Sequence, residues 1–92
     1  MFTAFVMVKA TPQKIAAIAQ EIANMPSVAE VYSVTGDFDI LVVLRLAEYE
    51  QLAEAVPDGL SKIEGITGTS TVLAFRRFSA KDLDAAWDIG VS

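Results

Sequence analysis

Cysteine and histidine are both missing from this 92-residue chain. Without cysteine there is no disulfide framework and no thiolate chemistry, a pattern that fits a reducing compartment. Without histidine the commonest general base and metal ligand is gone, which argues against a zinc site and against a Ser-His mechanism. Positive charge is scarce as well: seven Lys and Arg stand against twelve Asp and Glu, for a net charge of −5. The basic residues are scattered except for Arg76-Arg77, so the clustered cations that nucleic-acid binding draws on are absent. No apolar run approaches the ~18 residues of a membrane span, and Met1-Phe2-Thr3-Ala4 carries no basic export signal. No metal, no cofactor, no direct nucleic-acid contact and no membrane is therefore expected, and the cytoplasm is the expected location.

What the chain does have is apolar surface. Hydrophobic residues make up 53% of it, a high share for one small domain over residues 1–92, which has much surface and little interior. The surplus predicts an apolar face covered by another copy. Phe2 to Ala10 is a strand whose alternate sets, Phe2, Ala4, Val6 and Val8 against Phe5 and Met7, are both largely apolar, as in a central strand. Thr11 as N-cap and Pro12 at the first helical position open a helix, with Ile15, Ile18, Ala19, Ile22 and Met25 as its apolar stripe. Pro26-Ser27 ends it.

Two strands, Val28 to Thr35 and Phe38 to Leu46, then meet through Gly36-Asp37, a pair suited to a two-residue type II′ hairpin loop. Thr35 then pairs with Phe38, Val34 with Asp39, Ser33 with Ile40, Tyr32 with Leu41 and Val31 with Val42. One face collects Ala29, Val31, Phe38, Ile40, Val42 and Leu44 for a helix-covered core. The other collects Val28, Glu30, Tyr32, Val34, Asp39, Leu41, Val43 and Arg45, with Glu30 and Arg45 placed diagonally for a modest ion pair. A second helix from about Ala47 uses Tyr49, Leu52, Ala53, Val56, Leu60 and Ile63, broken before Pro57 into a kink or two short helices. Gly65 is its C-terminal cap, Thr67 to Phe78 the fourth strand, and Ala80 to about Asp88 a short last helix with Leu83, Ala86 and Trp87 inward. Strand-helix-strand repeated twice is the ferredoxin-like α+β arrangement, βαββαβ. It places two helices on one face of a four-stranded antiparallel sheet, and the bare face implies a C2 homodimer paired through the sheets.

The order Val31-x-x-Val34-Thr35-Gly36-Asp37-Phe38-Asp39-Ile40-Leu41 resembles the ligand-binding (RAM) domain of the Lrp/AsnC family of transcriptional regulators. The run Ile63-x-Gly65-Ile66-x-x-Thr69-x-Thr71 is similar to that family's pattern ahead of its last strand. The resemblance covers nearly all of the chain. It implies a non-catalytic sensing and oligomerisation module whose dimers assemble into an octamer or similar ring, with an amino acid or related metabolite bound between dimers. The chain starts at the first strand, so no helix-turn-helix domain is expected. An influence on transcription would come from ligand-dependent assembly or co-assembly with full-length Lrp/AsnC regulators.

The candidate ligand-binding residues are Val34, Thr35, Gly36, Asp37, Phe38, Asp39, Thr69, Thr71 and Leu73. Asp37 and Asp39 suit a ligand ammonium, and Asp39 is the sharper candidate because an acid on a mainly apolar face needs a partner. Each also has a plain structural reading: a hairpin with solvated acids, threonines as β-formers, and Val34 and Leu73 as core or interface. Arg76-Arg77 suits a carboxylate or phosphate, or simply a solvated edge. The alternative function is a small dimeric α+β-barrel enzyme of monooxygenase or isomerase type. It requires a polar residue aimed into a cavity between helices and sheet, and no histidine or clear buried acid or base is available for that. An enzyme is not expected.

Overall fold

A computed structural model describes residues 1–80. Its elements are β1 (Phe2–Ala10), α1 (Ile15–Ala23), β2 (Val28–Ser33), β3 (Ile40–Leu46), α2 (Gln51–Ala55) and β4 (Ile66–Ala74), with 3-10 turns at Pro12–Lys14 and Leu60–Lys62. The strands form one antiparallel sheet in the order β2-β3-β1-β4. This is the ferredoxin-like βαββαβ fold. The expected C-terminal helix, with Leu83, Ala86 and Trp87, lies outside the described residues.

The two central strands supply the core. Ala4, Val6, Val8 and Ala10 of β1 alternate onto the same face as Ile40, Val42, Leu44 and Leu46 of β3, and all eight are buried. Ile18 and Ile22 of α1 close over them, with Ile15, Ala19 and Met25 at the margin, which is the stripe expected from their spacing. Val56 and Leu60 cover the other half of the sheet. Each fully buried Ile or Leu here contributes roughly 1.5–3 kcal/mol relative to exposure.

Alanine-rich α1 has good intrinsic helix propensity, but its entry differs from the expectation. Thr11 gives no side-chain cap. Its carbonyl accepts from Lys14 N–H at 2.9 Å, forming the Pro12–Lys14 turn, while its own N–H and hydroxyl both reach the carbonyl of Gly65 at 2.9 and 3.4 Å. Thr11 thus ties the β1–α1 loop to the start of β4 instead of capping a helix. The second helix breaks at Pro57 into α2 and the later 3-10 turn, as expected, but starts at Gln51 and not near Ala47. The Gln51 side-chain oxygen accepts from the N–H groups of Ala47 and Glu48 at 2.7 and 2.9 Å, holding residues 47–50 in a turn. Gly65 follows with φ +101°. The fourth strand ends at Ala74, short of the expected Phe78.

The hairpin register is right at its tip and wrong at its base. Ser33 pairs with Ile40, Tyr32 with Leu41 and Val31 with Val42, but then the register slips: Glu30 pairs with Val43 and Val28 with Leu44. One extra residue in β2, a β-bulge, reverses the alternation beyond it. Val28 therefore packs against the core and Ala29 is exposed, the opposite of the sequence assignment. Phe38, also assigned to the core face, is half-buried and outside the core cluster. The opposite sheet face carries Thr3, Phe5, Met7, Glu30, Tyr32, Leu41, Val43, Arg45, Ser70 and Val72. Tyr32 and Val72 on it are about half exposed, at 47% and 50%.

Candidate functional site

The hairpin turn stands at the end of the sheet where β1 leaves for α1. Its last cross-strand bond runs from Val34 N–H to the Asp39 carbonyl at 3.0 Å, so residues 35–38 form the bend. The Thr35–Phe38 pairing required by a two-residue loop is not part of the strand ladder. Gly36 has φ +112°, a left-handed conformation that a side chain resists, and this part of the expectation stands.

Asp39 has the partner that its position demanded, and the partner is backbone. Its N–H donates to the Val8 carbonyl at 2.8 Å, and its carboxylate accepts from Ala10 N–H at 2.9 Å. Ala10 sits where the β1–β4 register shifts, which leaves its N–H in need of an acceptor. Asp39 therefore fastens the hairpin to β1, a structural task that sequence reasoning did not foresee. The other turn acid, Asp37, is exposed.

Gly36, Asp37 and Asp39 share a shallow recess of about 500 Å³ with Lys9, Ala10, Thr11, Pro12 and Thr67. A lysine and two carboxylates around one recess offer both signs of charge to a zwitterion. Lys9, Thr11 and Thr67 were not among the sequence candidates, because only strand pairing brings three such distant positions together. Val34, Thr35 and Phe38 belong to the same turn but do not line the recess.

The β4 candidates lie elsewhere. Thr69, Thr71 and Leu73 pair with Val8, Val6 and Ala4, so all three stand on the helix-covered side of the sheet. Leu73 packs at the core margin, and Thr71 borders an apolar recess beneath α2 formed with Tyr49, Leu52, Ala53, Val56 and Pro57. Within one chain these residues and the turn do not form a single pocket. The expected Glu30–Arg45 pair does not form: the Glu30 carboxylate accepts from the Tyr32 hydroxyl, and Arg45 donates to the Thr3 hydroxyl at 2.7 Å.

Residues 3–83 match the family described as the Lrp/AsnC ligand binding domain. The chain belongs to this family. It is a non-catalytic, ligand-sensing module of the Lrp/AsnC regulators, and family membership sets the enzyme alternative aside. The HTH-type transcriptional regulator FL11 of Pyrococcus furiosus is 33% identical over 73 residues, covering 79% of this chain and 48% of its own length. The HTH-type transcriptional regulator LysM of Saccharolobus solfataricus is 38% identical over 74 residues, covering 79% and 51%. This Lrp/AsnC domain thus spans about half the length of the curated relatives it matches. Among solved structures, TTHA0845 from Thermus thermophilus superposes with a TM-score of 0.82 at 42% identity, over 86% of this chain and 99% of that one. AsnC of E. coli shares the fold, with a TM-score of 0.77 at 16% identity over 83% of this chain and 52% of that one. Among the described residues no helix is long and apolar enough to cross a membrane.

Proposed function

We propose that this Lrp/AsnC domain binds a free amino acid, or a metabolite with the same ammonium and carboxylate, at the hairpin-turn recess. The observation that carries the reading is the placement of Lys9 beside Asp37 and Asp39 around that recess. Lys9 suits the ligand carboxylate, Asp37 suits the ammonium, and Gly36 leaves backbone groups of the bend unscreened by a side chain. Asp39 contributes mainly by holding the bend against β1. A structurally similar regulator, NMB0573 of Neisseria meningitidis, is described as an L-Met complex, which supports an amino acid as the ligand class.

The open sheet face supports pairing with a second copy. Phe5, Met7, Leu41 and Val43 form its centre, a composition suited to an isologous C2 contact. Thr69, Thr71 and Leu73 join the turn around one ligand only where a neighbouring dimer brings its β4 against it. That geometry favours a ring of dimers, an octamer or similar, whose assembly the ligand adjusts. Transcription is then affected through such assembly or through mixed assemblies with full-length relatives.

Calorimetric titration of the protein with each of the twenty amino acids tests the site. Asp37→Asn is the proper control, since Asp39 also supports the fold. At least one amino acid is expected to bind, with affinity reduced tenfold or more by Asp37→Asn and by Lys9→Gln. Equal heats from wild type and both variants would remove the recess from consideration.

A further inference from the structure

At the other end of the sheet lies a second recess that the hairpin site does not use. It has a volume of about 450 Å³ and is lined by Thr3, Phe5, Arg45, Phe75, Arg76, Arg77 and Phe78, with Met1 and Ala74 at its edge. Three of the seven basic residues in a chain of net charge −5 therefore meet in one place. Among the described residues no acidic side chain lines the recess, and neither Arg45 nor Arg76 is in an ion pair with a carboxylate.

Both arginines are held by neighbours that leave their charge uncompensated. Arg45 donates to the Thr3 hydroxyl at 2.7 Å, a neutral acceptor that keeps the guanidinium at the recess wall. The Arg76 guanidinium lies over the Phe78 ring, 5.1 Å from its centroid, which stiffens a long side chain in place. Phe75 is 95% exposed and Phe78 75% exposed, an unusual concentration of bare aromatic surface beside fixed cations. Guanidinium groups select carboxylate and phosphate oxygens, and aromatic walls select a flat apolar body. The volume falls within the range of small-molecule sites.

We propose that this recess is a second ligand site, specific for a small organic anion that carries an aromatic ring. Thr3 and Lys9 are six residues apart on β1, so the two sites are separated by about 20 Å at ordinary strand rise. The anion's oxygens meet Arg45 and Arg76, and its ring lies against Phe75 and Phe78. The site does not depend on the amino-acid reading of the hairpin turn and stands if that reading fails.

The test is equilibrium binding to the full chain, with phenylacetate and phenyl phosphate as the two arene anions. Acetate, inorganic phosphate and benzyl alcohol serve as the matching fragments. At least one arene anion is expected to bind more than tenfold more tightly than its fragments. Arg45→Gln and Arg76→Gln should each weaken that binding at least fivefold, whereas Asp37→Asn leaves it unchanged. Both arginines are exposed, and a thermal melt of each variant establishes that the fold persists. Failure of both arene anions to bind overturns the proposal, as does acetate binding as well as phenylacetate. It is equally overturned if Asp82→Asn with Asp84→Asn creates binding that the wild type lacks, because the chain's own carboxylates would then be the occupants.

Discussion

Asp39 allows a sharp test of whether the turn acids serve the fold or the ligand. Its carboxylate accepts from Ala10 N–H at 2.9 Å, and Ala10 is only 7% exposed. In Asp39→Ala that N–H loses its acceptor at a place water reaches poorly. Leaving a buried donor unpaired costs about 1–3 kcal/mol, and a charge-assisted bond belongs in the upper half of that range. We take about 2 kcal/mol. With an unfolding entropy near 2.1 cal/mol/K per residue, a domain of 92 residues loses about 5 °C of Tm per kcal/mol, or about 10 °C here. Asp39→Asn keeps an oxygen of the same reach and gives up only the charge, so about 1 kcal/mol and 5 °C are expected. Thermal unfolding followed by circular dichroism, at one fixed protein concentration, measures both. An alanine variant melting within about 2 °C of wild type would show that the Asp39–Ala10 bond contributes nothing to the fold. Equal losses from alanine and asparagine would show that charge, not the acceptor, is what matters.

Other outcomes follow from equally local geometry. A Cβ placed on Gly59 meets the Ala55 carbonyl oxygen at 2.7 Å, Met25 Cε at 2.8 Å and the Glu54 carbonyl oxygen at 3.0 Å. Met25 has room to swing, but the carbonyls belong to the last turn of α2, so Gly59→Ala should cost about 1–3 kcal/mol and lower Tm by roughly 5–15 °C; an unchanged melt would contradict the close approach. Leu41→Asp puts a charge at the centre of the open sheet face, and native mass measurement should show a wild-type dimer or larger assembly reduced to monomer. A variant of undiminished mass would mean that this face is not the contact. The Tyr32 phenol is held above the usual phenol range, first by its hydrogen bond to Glu30 and then by the charge of that carboxylate. Because the folded value is the raised one, this contribution to stability is complete below the unfolded phenol's pKa and is lost as pH rises through the folded value. Ultraviolet titration, with Tyr32→Phe to assign the signal, should show Tyr32 ionising later in wild type than in Glu30→Gln; coincident curves would refute it.

The chain's own order of residues was enough for the elements, because each rests on short-range periodicity. Alternation marked β1 and β3, the isoleucine spacing marked α1, and Pro57 marked the break after α2, all without reference to distant residues. The Gly36-Asp37-Phe38-Asp39 turn was legible for the same reason, and with it the family. Tertiary structure decided everything that depends on which strands lie side by side. The bulge at Ala29 moved Val28 into the core, since one extra residue inverts a period of two and no local signal announces it. The task of Asp39, the link from Thr11 to Gly65, and the meeting of Lys9 with Thr67 all join residues that the sheet, not the sequence, makes neighbours. The same holds for Arg45 and Arg76, thirty-one positions apart and gathered at one recess because β3 and β4 flank β1. Periodicity reports the side of an element on which a residue falls; only packing settles what it touches there.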